Sequence, residues 1–119
     1  MKKLYFIIGF LLHPYLKFAK VKNIWIFGAE HGQAYIDNSK YFFEYVRHEH
    51  KEINAFWLTQ SKSVYDDLQS KGVPVINNFS LKGIYLSAVA KFIIFSTSQN
   101  DLLFIIPKKN RKIINLWHG

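Results

Sequence analysis

From Asn23 onward, short apolar runs alternate with amphipathic stretches, and this alternation constrains the fold more than any other feature of the chain. Such an order is typical of β-α-β units, in which helices cover a parallel sheet. Pro74 cannot donate a ladder hydrogen bond, so the third run is expected near a sheet edge. The predicted strands are residues 23–28, 53–58, 73–76, 91–95 and 112–117. We therefore predict an α/β, Rossmann-like parallel sheet.

The stretches between these runs predict three helices. The first is expected to be capped by Asp37, Asn38 and Ser39 and to run to about His50. The second extends over residues 61–70. The third has Ser80 as its expected cap, and its apolar residues follow helical spacing. These apolar residues are Leu81, Ile84, Tyr85, Ala88 and Val89.

Residues 1–22 form an apolar and basic segment ahead of this pattern. The apolar run from Leu4 to Leu12 is far shorter than the roughly 20 residues that span a bilayer. No small-residue cleavage site follows it, so we expect a retained helix rather than a signal peptide. Flanking lysines favour docking on an anionic membrane surface, and the alternative is a helix packed on the domain. Residues 23–119 would then form the Rossmann-like domain.

Composition narrows the partners without selecting one. Half of the residues are hydrophobic, as in a packed globular protein, and the net charge is +8. That charge attracts nucleic acid, phospholipid head groups or a polyphosphate substrate alike. Cysteine is absent, which excludes disulfides and thiolate metal sites. His48 and His50 are two apart on a predicted helix and so point to different faces. We expect no metal site and no cofactor.

Polar residues follow three of the predicted strands. Ligands of open α/β sheets gather at the carboxyl ends of the strands, so these residues are expected to line one cleft. Gly28 ends the first strand, and Ser96 and Ser98 follow the fourth. No P-loop or dinucleotide fingerprint occurs, so a nucleoside triphosphate site is not expected. We identify these three residues as candidate substrate contacts.

The start of the first predicted helix is a second candidate for substrate binding. Asn38, Ser39 and Lys40 could offer amide groups, a hydroxyl and a cation to a phosphate. Helix capping explains the presence of Asn38 and Ser39 without any ligand. Both interpretations remain open from the sequence alone.

His118 follows the fifth predicted strand directly, with Gly119 behind it. A glycine leaves room beside the imidazole, and a strand end is where a general base would meet a bound hydroxyl. His118 is therefore the candidate catalytic residue and Gly119 a candidate substrate contact. The alternative is a histidine that only caps the strand end.

At these same segments the chain resembles the CDP-glycerol glycerophosphotransferase family, which primes or polymerises wall teichoic acid. The matching stretches keep the family's order and spacing, and the second and fourth are the more specific. They are residues 23–29, 37–46, 80–83 and 115–119. The last of them carries Leu116, Trp117, His118 and Gly119, whose family counterpart continues into Thr-Pro and a basic residue. That continuation is not in this sequence.

The resemblance implies the N-terminal domain of a GT-B type transferase, here truncated, with most donor contacts in a second domain. It implies that His118 is the base that activates an acceptor hydroxyl. The implied partners are CDP-glycerol as donor, a lipid-linked polyol-phosphate acceptor and an anionic membrane surface on its cytoplasmic side. Without the second domain, the 119-residue chain alone is expected to be inactive.

Two alternatives come from other readings of the sequence. A GT-B glycosyltransferase or another polyol-phosphate transferase would keep the fold and change the reaction. A small basic nucleic-acid-binding module would fit the positive charge and the abundant aromatic residues. Most of those aromatic residues fall on predicted core faces, and no basic-aromatic RNA-binding motif occurs. We therefore expect no nucleic acid partner.

Overall fold

The computed structural model describes residues 2–29, 35–96 and 111–116. Helices and strands alternate along these residues as the sequence pattern predicts. The helices are α1 (Lys2–Lys17), α2 (Asp37–Glu49), α3 (Lys62–Ser70) and α4 (Leu81–Val89). The strands are β1 (Lys22–Gly28), β2 (Asn54–Thr59), β3 (Val75–Asn77), β4 (Ala90–Phe95) and β5 (Lys112–Asn115).

The strands form one parallel sheet in the order β3-β2-β1-β4-β5. The chain first builds outward from β1 to β3 and then returns to place β4 on the other side of β1. This reversal is the switch point at which open α/β sheets bind their ligands. The α/β, Rossmann-like prediction is confirmed. The edge position expected from Pro74 is also confirmed, because β3 is the outer strand.

Helices cover both faces of the sheet. On one face α1 and α4 lie together, and the core there includes Ile26, Leu86 and Ile93. On the other face α2 and α3 pack on β1 and β2 around Phe27, Phe43 and Trp57. These three aromatic side chains are fully buried and in ring contact, which ties α2 to the middle of the sheet.

The turn from β3 into α4 depends on one close approach. Ser80 is the N-cap of α4, as predicted, and its hydroxyl accepts from the Gly83 amide at 2.9 Å. A Cβ atom at Gly83 would lie 2.3 Å from the carbonyl oxygen of Asn77. Because no side chain fits in that gap, glycine lets α4 begin directly above the end of β3.

The start of α2 corrects one prediction. The N-cap residue is Ile36, which has no polar side-chain atom to serve as a cap, so Asn38 and Ser39 lie inside the first helical turn. The pattern placed the cap too late because Asp, Asn and Ser are strong capping residues wherever they occur. The capping explanation for Asn38 and Ser39 therefore loses its basis.

Arg111 is a buried cation that the sequence pattern does not predict. Its guanidinium donates to the carbonyl oxygens of Ser87, Ala88 and Ala90, at the carboxyl end of α4. The last carbonyl groups of a helix have no partner within the helix, and a positive charge there also suits the helix dipole. Burial lowers the pKa of Arg111, yet a guanidinium stays charged near neutral pH. Arg111 thus fastens the start of β5 to α4.

Candidate functional site

The carboxyl ends of β1, β4 and β5 meet at one edge of the sheet. Gly28 pairs with Phe95, and Phe95 pairs with Asn115. The pairing continues one residue further, because the Leu116 amide donates to the Phe95 carbonyl at 2.8 Å. Gly28 is buried between its neighbours. The predicted convergence of the first, fourth and fifth strands is therefore present, with the switch point in its middle.

Asn38 connects the start of α2 to this edge. Its side-chain amide donates to the backbone carbonyl of Leu116 at 3.4 Å, across 78 residues of sequence. The contact is long for a hydrogen bond, and Asn38 is exposed. It brings the first turn of α2 over the end of β5, two residues before His118. We call the region formed by Gly28, Asn38, Ser39, Ser96 and Leu116 the carboxyl-edge site.

Two buried hydroxyl groups belong to the carboxyl-edge site. Ser39 in the first turn of α2 and Ser96 after β4 are both 0% exposed. Neither hydroxyl has a hydrogen-bond partner among the described residues. A buried hydroxyl without a partner costs about 1 to 3 kcal/mol, so a ligand oxygen that supplied the missing partner would be stabilising. Both side chains are chemically suited to a phosphate or polyol oxygen.

Lys40 lies beside the site over two aromatic rings. Its ammonium is 5.2 Å from the centre of the Tyr35 ring and 5.7 Å from that of Tyr41. Tyr35 donates its hydroxyl proton to Glu44 at 3.0 Å. Burial, and then this carboxylate, raise the pKa of Tyr35 above its ordinary value, so the phenol stays protonated. Ring contacts hold Lys40 in place at the start of α2.

Other predicted site residues fall outside the part of the chain that the structure describes. They are Ser98, His118 and Gly119. The structure brings together Gly28, Asn38, Ser39 and Ser96. Lys40 is the residue that follows Ser39 in α2. Neither the Asn38 link to Leu116 nor the contact of Tyr35 with Glu44 was predicted. Both join residues through tertiary packing, which helical and strand periodicity do not encode.

Among residues 2–29, 35–96 and 111–116, no group of three or more potential metal ligands occurs. Within the same ranges, every helix falls short of the length and apolarity needed to cross a bilayer. His48 is exposed, and the His50 imidazole lies 3.3 Å from the Glu52 carboxylate.

Comparison with known families gives a match over nearly the whole chain. Residues 11–119 match the profile described as CDP-glycerol:poly(glycerophosphate) glycerophosphotransferase. The match includes every element from β1 to β5 and all the candidate site residues.

Two curated relatives support the same comparison. A teichoic acid poly(glycerol phosphate) polymerase of Bacillus subtilis is 30% identical over 95 residues, which are 79% of this chain and 12% of that protein. A teichoic acid glycerol-phosphate transferase of Staphylococcus aureus is 31% identical over 99 residues, 82% of this chain and 24% of that protein. The chain therefore spans a quarter or less of the length of these relatives.

Solved structures of the wall teichoic acid polymerase TagF share the fold. One of them, a variant soaked with CDPG, is 19% identical and superposes with a TM-score of 0.69 over 99% of this chain and 31% of TagF. A second reaches a TM-score of 0.70 at 17% identity, over 99% of this chain and 30% of TagF. The likeness confirms the α/β, Rossmann-like fold.

Proposed function

Because the chain belongs to the CDP-glycerol:poly(glycerophosphate) glycerophosphotransferase family, we propose that it forms the acceptor-side domain of such a transferase. The enzyme transfers glycerol phosphate from CDP-glycerol to a lipid-linked or polyol-phosphate acceptor in teichoic acid biosynthesis. The family match over residues 11–119 carries this proposal. The structure adds the contact of Asn38 with Leu116, which joins α2 to the strand end before His118. It supports one site built from separate parts of the chain.

The proposed reaction is a displacement at phosphorus. A hydroxyl oxygen of the acceptor attacks the β-phosphorus of CDP-glycerol, a new P–O bond forms, and the bond to the leaving CMP breaks. His118 takes the proton of the attacking hydroxyl as general base. Positive and hydrogen-bonding groups stabilise the charge on the phosphoryl oxygens during transfer. No cofactor takes part in this proposal.

The chain geometry supports this role for His118. In the sequence His118 follows two positions after Leu116, which belongs to the carboxyl-edge site. Ser39 and Ser96 supply hydroxyl groups, Lys40 supplies a cation, and the small Gly28 lets a ligand approach the backbone. Ser98 and Gly119 complete the proposed substrate contacts.

The first 22 residues serve as a membrane-docking segment ahead of the domain formed by residues 23–119. Helix α1 packs one side against α4, and Phe6 meets Phe79 ring to edge at 5.7 Å. Its other side leaves Phe10 80% exposed, and Phe18, just after the helix, is 81% exposed. Exposed apolar rings beside lysines suit shallow insertion into an anionic bilayer. The proposed location is thus the cytoplasmic face of the membrane, held peripherally.

Replacing Phe10 and Phe18 together by asparagine should weaken binding to phosphatidylglycerol vesicles by about tenfold or more, because both rings would otherwise insert among the lipids. Vesicle co-sedimentation at several lipid concentrations measures the change. Tyr45→Asn is the matched control, since it removes an exposed ring from α2 on the other face of the sheet. Equal binding of wild type to uncharged phosphatidylcholine vesicles would contradict the electrostatic part of the proposal.

The activity itself is tested by CMP release. The full-length gene product should release CMP from CDP-glycerol only when a glycerol phosphate acceptor is added, and the acceptor should gain one unit by mass spectrometry. The same assay with CDP-ribitol and with sugar nucleotides tests the alternative donors. Transfer of a sugar with no CMP release from CDP-glycerol would replace the proposal with a glycosyltransferase. Binding of RNA without any transfer would replace it with a nucleic-acid-binding function.

A further inference from the structure

A cavity lies between α2 and α3, on the face of the sheet opposite α1, and shares only Lys40 with the substrate contacts proposed above. Its volume is about 340 Å³, and we call it the α2/α3 groove. Helix α2 provides one wall and the end of α3 provides the other, with Tyr35 between them. The residues that matter here are Tyr35, Lys40, Glu44, Arg47, Leu68 and Lys71.

Positive charge predominates in the α2/α3 groove. Lys40, Arg47 and Lys71 line it, and Glu44 is the carboxylate among the lining residues. That carboxylate already accepts the Tyr35 hydroxyl proton at 3.0 Å. Lys71 contacts Asp67 at 3.1 Å, but both side chains are well exposed, and such a pair is weak in water. The groove therefore attracts anions.

The cations of α2 are held in position by aromatic rings. Lys40 lies over the Tyr35 ring, and the Arg47 guanidinium is 5.7 Å from the centre of the Phe43 ring. Lys40 and Arg47 are seven positions apart in the sequence, which places them about 10 Å apart along the helix axis. Cations stacked in this way lose less freedom when they bind an anion, because their side chains are already ordered.

One end of the groove is lined by Lys40, the residue that follows Ser39 of the carboxyl-edge site on α2. Lys40 is in the first turn of α2, next to Asn38 and Ser39, whereas Arg47 is in the last turn beside Lys71. An extended anion held at the carboxyl-edge site could therefore continue along α2 over successive cations. A single phosphate would reach only the first of them.

We propose that the α2/α3 groove binds phosphodiester groups of an anionic polyol-phosphate chain, beyond the unit at which transfer takes place. The proposal rests on the function proposed above and adds a subsite to it. A guanidinium and an ammonium on opposite walls match the spaced phosphates of such a chain. Tyr35 has one ring face under Lys40 and meets Trp57 ring to edge at 4.7 Å, so it offers no open platform for base stacking. A polyol-phosphate chain thus fits better than RNA.

The test compares long and short acceptors with the full-length gene product. The double variant Arg47→Gln/Lys71→Gln removes one cation from each wall. Its KM for a synthetic poly(glycerol phosphate) oligomer should rise about tenfold, which is the loss expected for two exposed charge contacts. Its KM for a lipid-linked single glycerol phosphate should stay unchanged, because that acceptor is too short to enter the groove. An equal rise for both acceptors would overturn the proposal.

The matched control is Lys82→Gln/Lys91→Gln, which changes the net charge equally at two exposed positions outside the groove. It should leave both KM values unchanged, and a similar rise in the control would show that only total charge matters. Circular dichroism melting confirms that each double variant is folded.

A binding measurement without donor separates this proposal from the function on which it rests. Fluorescence anisotropy of a labelled oligomer should show about tenfold weaker binding to Arg47→Gln/Lys71→Gln and a shallower dependence on salt. If the wild type failed to transfer glycerol phosphate but the double variant still bound the oligomer more weakly, the proposed function would be wrong. The groove assignment would still be supported. Unlabelled oligomer and single-stranded RNA of equal charge are then compared as competitors. If the RNA displaced the labelled oligomer as effectively as the unlabelled oligomer does, the groove assignment would be wrong.

Discussion

Replacing His118 by alanine in the full-length gene product should lower kcat for CMP release by about 10³-fold, because general base catalysis contributes on the order of 10² to 10⁴. The KM for CDP-glycerol should change little, since the base acts on the acceptor hydroxyl and not on the donor. Steady-state assays with saturating acceptor measure both constants.

His50→Ala is the matched control for this experiment. His50 lies at the end of α2 beside Glu52, well away from the carboxyl ends of the strands. Its replacement should leave kcat as in the wild type. If the His118 variant kept a rate within tenfold of the wild type, another group would have to accept the proton. Donor-dependent CMP release would still support the transferase, so the catalytic assignment and the function can fail separately.

Most elements of the fold could be predicted because the local signals agree with the tertiary structure. The first strand was expected at 23–28 and is Lys22–Gly28, and the third helix was expected from Leu81 to Val89 and is found there. Buried parallel strands produce continuous apolar runs, and helices packed on one face produce the 3.6-residue period. Where each element has only one way to bury its apolar side chains, periodicity is sufficient.

The positions that the sequence did not reveal depend on contacts between distant segments. The N-cap of α2 is Ile36 although Asp37, Asn38 and Ser39 are better capping residues. Asn38 instead reaches the carbonyl of Leu116, and that partner is unknown until the strand order is known. Local preference gave way to a tertiary contact at the place where we propose substrate binding, and such conflicts are expected at functional sites.

The candidate site shows the same division. The convergence of Gly28 and Ser96 could be predicted from the parallel arrangement of the strands, because parallel strands end at one edge. The burial of the Ser39 and Ser96 hydroxyl groups did not follow, since serine is usually exposed. The Lys40 ammonium was expected to serve a phosphate, and the structure adds that two aromatic rings hold it in place. The sequence therefore predicted which edge of the sheet carries the site. The burial and the contacts of the side chains at that edge depend on tertiary packing.

Replacing Arg111 by methionine should remove about 3 kcal/mol of local stability. Three carbonyl oxygens, those of Ser87, Ala88 and Ala90, would lose their donor. Each lost hydrogen bond costs about 1 kcal/mol, and loss of the favourable interaction between the cation and the helix dipole adds a fraction of that. Removal of the buried charge offsets part of this cost. Methionine keeps the apolar volume, so the change isolates the donor groups.

Hydrogen exchange measured by mass spectrometry on the full-length gene product tests this expectation. Peptides that cover α4, β4 and β5 should exchange about 100-fold faster in the Arg111 variant, which corresponds to about 3 kcal/mol. Peptides that cover β2 and β3, on the other side of β1, should keep their protection. Lys112→Met is the matched control, because Lys112 is the next residue and its side chain is exposed.

The consequence would extend to the carboxyl-edge site. Arg111 sets where β5 begins, and β5 carries Leu116 to its contact with Asn38. Loosening β5 should therefore also reduce CMP release, and Arg111→Lys, which keeps a cation but not the forked donors, should fall between wild type and methionine. Unchanged exchange in β5 would mean that the strand is held by its pairing with β4 alone, and Arg111 would then have no part in positioning His118.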